Sequence, residues 1–378
     1  MSQTDELTAI LKAYFNDIEE TYNVQTLNGG LINDTYLIQF QSSSSTASSY
    51  ILQRINSNVF QNVKQLMSNI TQVSRYISSL DSTPEFYLQV ISTRDDSSYH
   101  VQKEKEATYY WRVYNYIPNS ISYSFCQDFS RDVSAQKNLL MQAGKAYGEF
   151  QVLLHTFDVS KLYDTIPDFH HTSKRLQTFR DTVQKDVCDR VQNVQKEIKV
   201  VESFAHLAPS IINLLESGEI PTRVCHNDTK LENVLFDKST HEAKCVIDYD
   251  TIMKGSLLYD FGDSIRSMAN SASEEEQDLS LVKFDIDAFR CFAKGYISTA
   301  GHIMTQSEKE HLYLGPLVIV YEQGMRFLTD YIEGDVYFKT QYEDQNLCRA
   351  RNQLRLLQDM FDQIKEVKSI LSHEFDEK

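Results

Sequence analysis

The sequence predicts an α+β protein of two lobes, a small β-rich one at the N-terminus and a large α-helical one after it. Three observations predict this. The chain has 378 residues, more than a single hydrophobic core usually spans. Its first 117 residues carry short strand-like runs separated by turn residues, with two helical patterns among them. After Pro118, long segments with an apolar residue every three or four positions take over, interrupted by one strand-loop-strand stretch at 221–250. The expected lobes are 1–117 and 118–378.

Leu7, Ile10, Leu11, Tyr14, Phe15 and Ile18 recur at helical spacing and predict an amphipathic helix over 5–22. Val24–Leu27, Thr35–Phe40 and Ser48–Ile55 read as an antiparallel meander, with Gly29-Gly30 and the serines at 42–45 as turns. Val63, Leu66, Met67, Ile70, Val73 and Ile77 predict a second helix over 61–80. Further strands are expected over 86–91, 100–103 and 109–116. Long helices are expected over 134–156, 173–189 and 194–215, and almost continuously from Leu257 to the end.

Composition narrows the function. Hydrophobic residues make up 41% and charged residues 24%, an ordinary globular balance. The net charge of -16 argues against nucleic acid and anionic membrane as partners, since both need a basic face. The six cysteines are scattered without a CxxC pair, so a disulfide scaffold is not expected. The polar start and the lack of a long apolar run predict a cytoplasmic chain without a spanning helix. A small molecule is the expected partner.

The segment Val224-Cys-His226-Asn-Asp228-Thr-Lys230-Leu-Glu-Asn233 matches the protein-kinase catalytic loop, H-x-D-x-x-x-x-N. An apolar run ending in Asp248 follows twenty residues after Asp228. Phosphoryl transfer explains the residue types. A hydroxyl acceptor needs a carboxylate to orient it and take its proton, the role expected of Asp228. Mg²⁺ prefers oxygen ligands and bridges the phosphates of ATP, and Asn233 and Asp248 offer a carbonyl and a carboxylate for it. Lys230 offers a cation for the transferring phosphoryl group. His226 is expected to pin the loop. Tyr259-Asp260-Phe-Gly262 spells a kinase metal motif literally, but it lies thirty-two residues past Asp228 in a helix-like context. Asp260 is expected to hold the loop's backbone instead. Asp250 is open between a second metal ligand and an exposed turn carboxylate.

These residues, with Val246-Ile-Asp-Tyr-Asp250 and Tyr259-Asp-Phe-Gly-Asp263, resemble the aminoglycoside phosphotransferase and choline kinase superfamily. Within it they look most like bacterial N-acetylhexosamine 1-kinases. Gly29-Gly-Leu-Ile-Asn-Asp-Thr-Tyr36, Tyr50-Ile-Leu-Gln-Arg-Ile-Asn56, Trp111-Arg-Val-Tyr-Asn-Tyr-Ile117, Arg326-Phe-Leu-Thr-Asp-Tyr331 and Gly334-Asp-Val-Tyr-Phe338 carry the finer likeness. The resemblance spans nearly the whole chain. It implies a bilobal protein-kinase-like fold and transfer of the ATP γ-phosphate to the anomeric hydroxyl of N-acetylglucosamine or N-acetylgalactosamine. It also implies that Asp34, Arg326 and Tyr337 lie near the sugar.

On the nucleotide side, Gly29 and Gly30 would let backbone NH groups approach phosphate, although a plain hairpin turn explains them equally. The third strand offers Gln53 and Arg54, and alternation turns only one of them toward the cleft. Arg54 is the expected phosphate-binding cation. Its usual carboxylate partner is missing, because 61–80 contains no Asp or Glu. Tyr114 and Tyr116 fall where the lobes should join, so their backbone is expected beside adenine; a buried strand fits as well. Competing readings are a kinase for another small alcohol (an aminoglycoside, choline or homoserine) and a nucleotide-binding pseudokinase.

Overall fold

The structure is a computed structural model that describes residues 3–16, 22–27, 32–41, 48–80, 87–105, 107–124 and 132–376. The N-terminal part contains helix α1 (Gln3–Leu11), strands β1 (Tyr22–Leu27), β2 (Asp34–Phe40) and β3 (Ser49–Ile55), helix α2 (Val63–Leu80), and strands β4 (Val90–Ile91), β5 (His100–Lys103) and β6 (Thr108–Asn115). The strands form an antiparallel sheet in the order β1-β2-β3-β6-β4, with β5 also paired to β6. Period-two alternation gives this sheet two apolar faces. Tyr36, Ile38, Phe40, Leu52, Trp111 and Val113 pack on Leu7, Ile10 and Leu11 of α1. Ile55 and Tyr114 join the apolar stripe of α2, which merges with the core of the helical part.

The helix expected over 5–22 is shorter. Its helical run ends at Leu11, and Lys12–Tyr14 turn away. Tyr14 is used to close the sheet: its hydroxyl donates to the Trp111 carbonyl (2.6 Å) and accepts from the His100 amide (3.0 Å).

The remainder begins with β7 (Ser120–Ile121) and helices α3 (Val133–Leu154), α4 (Thr172–Lys185), α5 (Gln195–Ser203) and α6 (Ser210–Glu216). Strands β8 (Arg223–Cys225), β9 (Val234–Asp237), β10 (Ala243–Val246) and β11 (Met253–Gly255) follow. Helices α7 (Leu257–Met268), α8 (Ile286–Ala300), α9 (Gln306–His311), α10 (Leu314–Glu333), α11 (Gln345–Asp362) and α12 (Ile364–Asp376) complete the chain. Two small sheets, β10-β9-β7 and β11-β8, lie among the helices. The single helix expected over 194–215 is broken into α5, a 3₁₀ turn at Ala205–Leu207 and α6. Pro209 has no N–H to donate, so the helical ladder cannot run through it.

Two contacts position the centre of the molecule. Helix α7 crosses α10 where Gly262 meets Gly315; a Cβ on Gly262 would fall 2.4 Å from the Gly315 carbonyl, and one on Gly315 would fall 2.2 Å from the Leu258 oxygen. Asn69, buried on α2, donates to the carbonyls of Tyr163 (2.8 Å) and Ile252 (2.9 Å) and accepts from the Tyr163 amide (2.9 Å). It thereby ties the N-terminal helix to the helical part through satisfied polar groups. No single described helix is long and apolar enough to cross a membrane.

Candidate active site

Strand β8 delivers the chain into the loop 226–233, and the β9–β10 hairpin returns it at Asp248. Buried His226 pins this loop. Its Nε2 lies 2.8 Å from the Ile247 carbonyl and its Nδ1 accepts the Asp228 amide at 3.3 Å. That pattern places the ring proton on Nε2 and leaves the imidazole no free nitrogen for acid–base work. Ile247 in turn donates its amide to the Asn233 carbonyl (2.9 Å).

The loop's shape is held from α7, as expected of Asp260. Its Oδ2 accepts the His226 amide (2.9 Å) and the Gln151 side chain (2.9 Å), and its Oδ1 accepts the Asn227 amide (2.8 Å). Asn227 itself sits in the left-handed region at φ 64°. Asp263 accepts the Thr229 amide (2.8 Å), and the Thr229 hydroxyl donates to the Asp260 carbonyl (2.6 Å). The literal Asp-Phe-Gly is thus a helical turn whose Asp clamps a loop and whose Gly meets another helix. Asp260→Ala orphans two buried backbone donors, so we expect a destabilisation on the order of 3 kcal/mol and a melting temperature several degrees lower. Unchanged melting in a thermal scan would refute the clamp.

Asp228 Oδ2 accepts both Lys230 Nζ (2.9 Å) and Asn233 Nδ2 (2.9 Å), which leaves Oδ1 open. Burial pushes this carboxyl's pKa up, but Lys230 foremost, with the Asn233 amide, holds it below the ordinary value. It is therefore an ionised acceptor at neutral pH. The Asn233 amide also donates to the Asp228 carbonyl (2.8 Å), so its nitrogen is committed and its oxygen remains for a ligand.

Asp248 adopts φ 64° and ψ 65°, a left-handed conformation that costs a non-glycine residue about 1 kcal/mol. Its pKa is raised to about 7, first by burial and then by Asp250 and Asp228, against the pull of Lys230 and Arg112. The cluster is short of positive charge. A divalent cation fits this donor set: Asp248 and the Asn233 oxygen are hard ligands, and phosphate oxygens and water would supply the rest. Asp250 is neither exposed nor free. It is 5% exposed, and its oxygens accept Arg112 Nη1 (2.5 Å), Arg112 Nη2 (3.0 Å) and Asn33 Nδ2 (2.7 Å).

The structure corrects three nucleotide-side and acceptor-side expectations. Arg54 does not face the cleft. It lies opposite Trp111, on the α1 side of the sheet, and ion-pairs with Asp34. Gln53 faces the cleft, opposite Arg112. The choice between the two depends on which face α1 covers. Asp34 is consequently engaged with Arg54, and its neighbour Asn33 is the residue that reaches the site. Tyr114 is buried inside the sheet, paired with Ile51 and Val90, so its backbone is not at the lobe junction. Tyr116 follows the end of β6. Gly29 and Gly30 lie outside the described residues.

Arg326 and Tyr337 are brought together. Arg326, on α10, points its guanidinium at the rings of Phe169 (6.0 Å), Tyr337 (5.9 Å) and Phe338 (5.4 Å). Asp330 sets the loop that carries two of these rings, accepting the amides of Val336 (2.9 Å), Tyr337 (2.7 Å) and Phe338 (2.9 Å). Burial pushes the Arg326 pKa down; Glu322 opposes this and Arg175 adds to it. Both oxygens of Glu322 are already used, by His170 Nδ1 (2.9 Å) and the Thr172 hydroxyl (2.5 Å). Among the described residues, His170 Nε2 and Arg175 Nε are buried without a partner. His171, by contrast, caps α4. Sequence reasoning placed Arg175 on the substrate side but did not single out Arg112, Asn33 or Glu322. For Arg112 a signal existed: a lone cation inside an apolar strand, in register with the position left for a cleft-facing group on the third.

Comparison with known proteins agrees with this geometry. The sequence matches the phosphotransferase enzyme family (APH) over residues 23–292. The fold is similar to that of an amicoumacin kinase solved with AMP-PNP, Ca²⁺ and Ami (TM-score 0.58, 13% identity, covering 94% of this chain and 93% of that one). It is also similar to a microcompartment-associated aminopropanol kinase (0.59, 13%, 97% and 99%) and to choline kinase from Cryptosporidium parvum Iowa II (0.56, 14%, 98% and 99%). With a catalytic loop clamped from α7, and the family matched over more than half of its length, the chain belongs to the APH phosphotransferase family and is a small-molecule kinase acting on hydroxyl groups.

Proposed function

We propose that this kinase uses ATP and Mg²⁺ to phosphorylate the anomeric hydroxyl of an N-acetylhexosamine. Its lobes are 1–117 and 118–378. Asp228 orients the hydroxyl and accepts its proton at Oδ1, and Lys230 neutralises the phosphoryl group. Asn233 and Asp248 hold the cation, which when bound offsets phosphate charge and aligns the γ-phosphate. Tyr116 lies beside adenine, and Arg326 and Tyr337 contact the sugar. The nucleotide and divalent cation of the amicoumacin kinase complex support the cofactor part of this reading.

One observation carries the acceptor assignment. The surface around Arg326 holds two guanidiniums and an imidazole against the carboxylates of Glu322 and Asp330, which are already engaged, with an unpartnered N–H on Arg175 and an unpartnered ring nitrogen on His170. A primary ammonium such as that of aminopropanol would need a free carboxylate there, and the rings that could cage a quaternary ammonium such as choline already face the Arg326 guanidinium. A neutral sugar fits better: its hydroxyl and amide oxygens accept from the guanidiniums, a hydroxyl donates to His170 Nε2, and its apolar face suits the rings of Phe169, Tyr337 and Phe338. The pseudokinase reading loses its support, because Asp250 supplies the carboxylate that α2 lacks.

The test is ADP release from Mg-ATP with N-acetylglucosamine, N-acetylgalactosamine, galactose, choline, homoserine and kanamycin. We expect kcat/KM for an N-acetylhexosamine to exceed that for the amines at least about tenfold. Turnover of kanamycin or choline alone would sink the sugar assignment, and ATP binding without any turnover would restore the pseudokinase.

A further inference from the structure

Arg112 is the least expected side chain near the site. It projects from an apolar strand, is 1% exposed, and lies within the field of Asp248. Its Nε donates to Gln53 Oε1 on β3 (2.9 Å), and Gln53 Nε2 donates to Thr35 Oγ1 on β2 (3.0 Å). Three strands are thus linked side chain to side chain, and the line ends on the bidentate pair with Asp250 across the cleft. Asn33, which immediately precedes β2, also donates to Asp250 and accepts the Asn56 amide (2.9 Å). Every hydrogen bond to the Asp250 carboxylate given above comes from the N-terminal sheet or the segment leading into it.

Asp250 is two residues from Asp248 in a tight turn. The turn's far side is fastened to the catalytic loop: the Thr251 hydroxyl donates to the His226 carbonyl (2.7 Å), and Asn227 Nδ2 donates to the Thr251 carbonyl (2.8 Å). One side of the turn is therefore held by the loop and the other by the sheet. A buried guanidinium cannot leave its carboxylate without a large desolvation cost, so sheet and turn move together.

We propose that Arg112 and Asp250 are positioning residues that convert the seating of the N-terminal sheet over the nucleotide into the placement of the Asp248 carboxylate. This replaces the pair expected between a third-strand cation and an α2 carboxylate. The cation comes from β6, and its partner lies on the same turn as the cation-holding Asp248. Arg112 binds no phosphate in this arrangement, since its Nε and both Nη groups are engaged and buried. The inference rests on the assignment of Asp248 as a cation ligand made above.

The test uses the full chain with Arg112→Lys, which keeps the charge and loses the fork, and Asp250→Asn, which keeps the shape and loses the charge. Calorimetry with AMP-PNP is run in EDTA and in saturating Mg²⁺, alongside thermal melting. Both variants should bind AMP-PNP in EDTA within about twofold of the parent and lose about tenfold or more of the Mg²⁺-dependent gain in affinity, the size typical of a disturbed outer-shell partner. If one variant does not fold, the other and Asn33→Ala, with a smaller effect in the same direction, carry the test. A lower melting temperature with the Mg²⁺-dependent gain intact would overturn the proposal, as would loss of affinity in EDTA, which marks a direct phosphate contact. Asp248→Ala serves as the reference: if it retains the gain, the metal assignment itself fails; if only it loses the gain, the positioning role fails alone.

Discussion

Asp228→Asn lowers turnover about a thousandfold and leaves nucleotide affinity within about threefold of the parent. The substitution is nearly isosteric. The amide oxygen still accepts from Lys230 and Asn233, so the loop keeps its shape. The NH2 group then stands where Oδ1 faces the acceptor, and a donor there can neither orient a hydroxyl as its acceptor nor take its proton. Turnover is read by coupled ADP release and affinity by calorimetry. Activity within tenfold of the parent would mean that another group is the base.

Asp248→Ala removes Mg²⁺-dependent nucleotide binding and lowers turnover by a similar factor, without lowering the melting temperature of the ligand-free protein. The second half distinguishes it from Asp260→Ala. Asp248 accepts no hydrogen bond from the described residues, and its carboxyl is raised from 3.8 to about 7 by burial, Asp250 and Asp228. A carboxyl whose folded pKa lies above its unfolded value penalises the folded state once pH exceeds the unfolded pKa, and the penalty is complete above the folded one. At pH 7.5 deletion relieves most of that penalty, whereas deletion of Asp260 strands two amides. Loss of Mg²⁺-dependent nucleotide binding in Asp260→Ala with its retention in Asp248→Ala would place the cation at Asp260.

Much of this was legible because local chemistry repeats. The spacing of His226, Asp228 and Asn233 and the apolar strand into Asp248 follow from what phosphoryl transfer needs within one loop. The helical context of Asp260 showed in its apolar flanks. Arg54 was misread because alternation says that neighbouring residues face opposite ways and not which way, and the answer depends on α1 covering one face. The break at Pro209 stood in the sequence, beneath an uninterrupted apolar period. The acceptor side was least legible. Residues 170–175, Glu322–Arg326 and Tyr337 come from three segments that no spacing rule joins, and their charge imbalance exists only once they are packed.

The contact between Gly262 and Gly315 has a bearing on evolvability. Helix α7 carries the clamps on the catalytic loop, and α10 carries Glu322 and Arg326. In the proposed arrangement, the span from the Asp228 carboxylate to the Arg326 guanidinium is therefore gauged by two backbones in touch, with no side chain between them to trim or lengthen. A lineage that keeps both glycines can change the chemical taste of the acceptor pocket by exchanging Phe169, Arg175 or Tyr337. It cannot readily change the reach. Accommodating a longer acceptor calls for a new crossing of α7 and α10, a change of architecture where the others are changes of decoration.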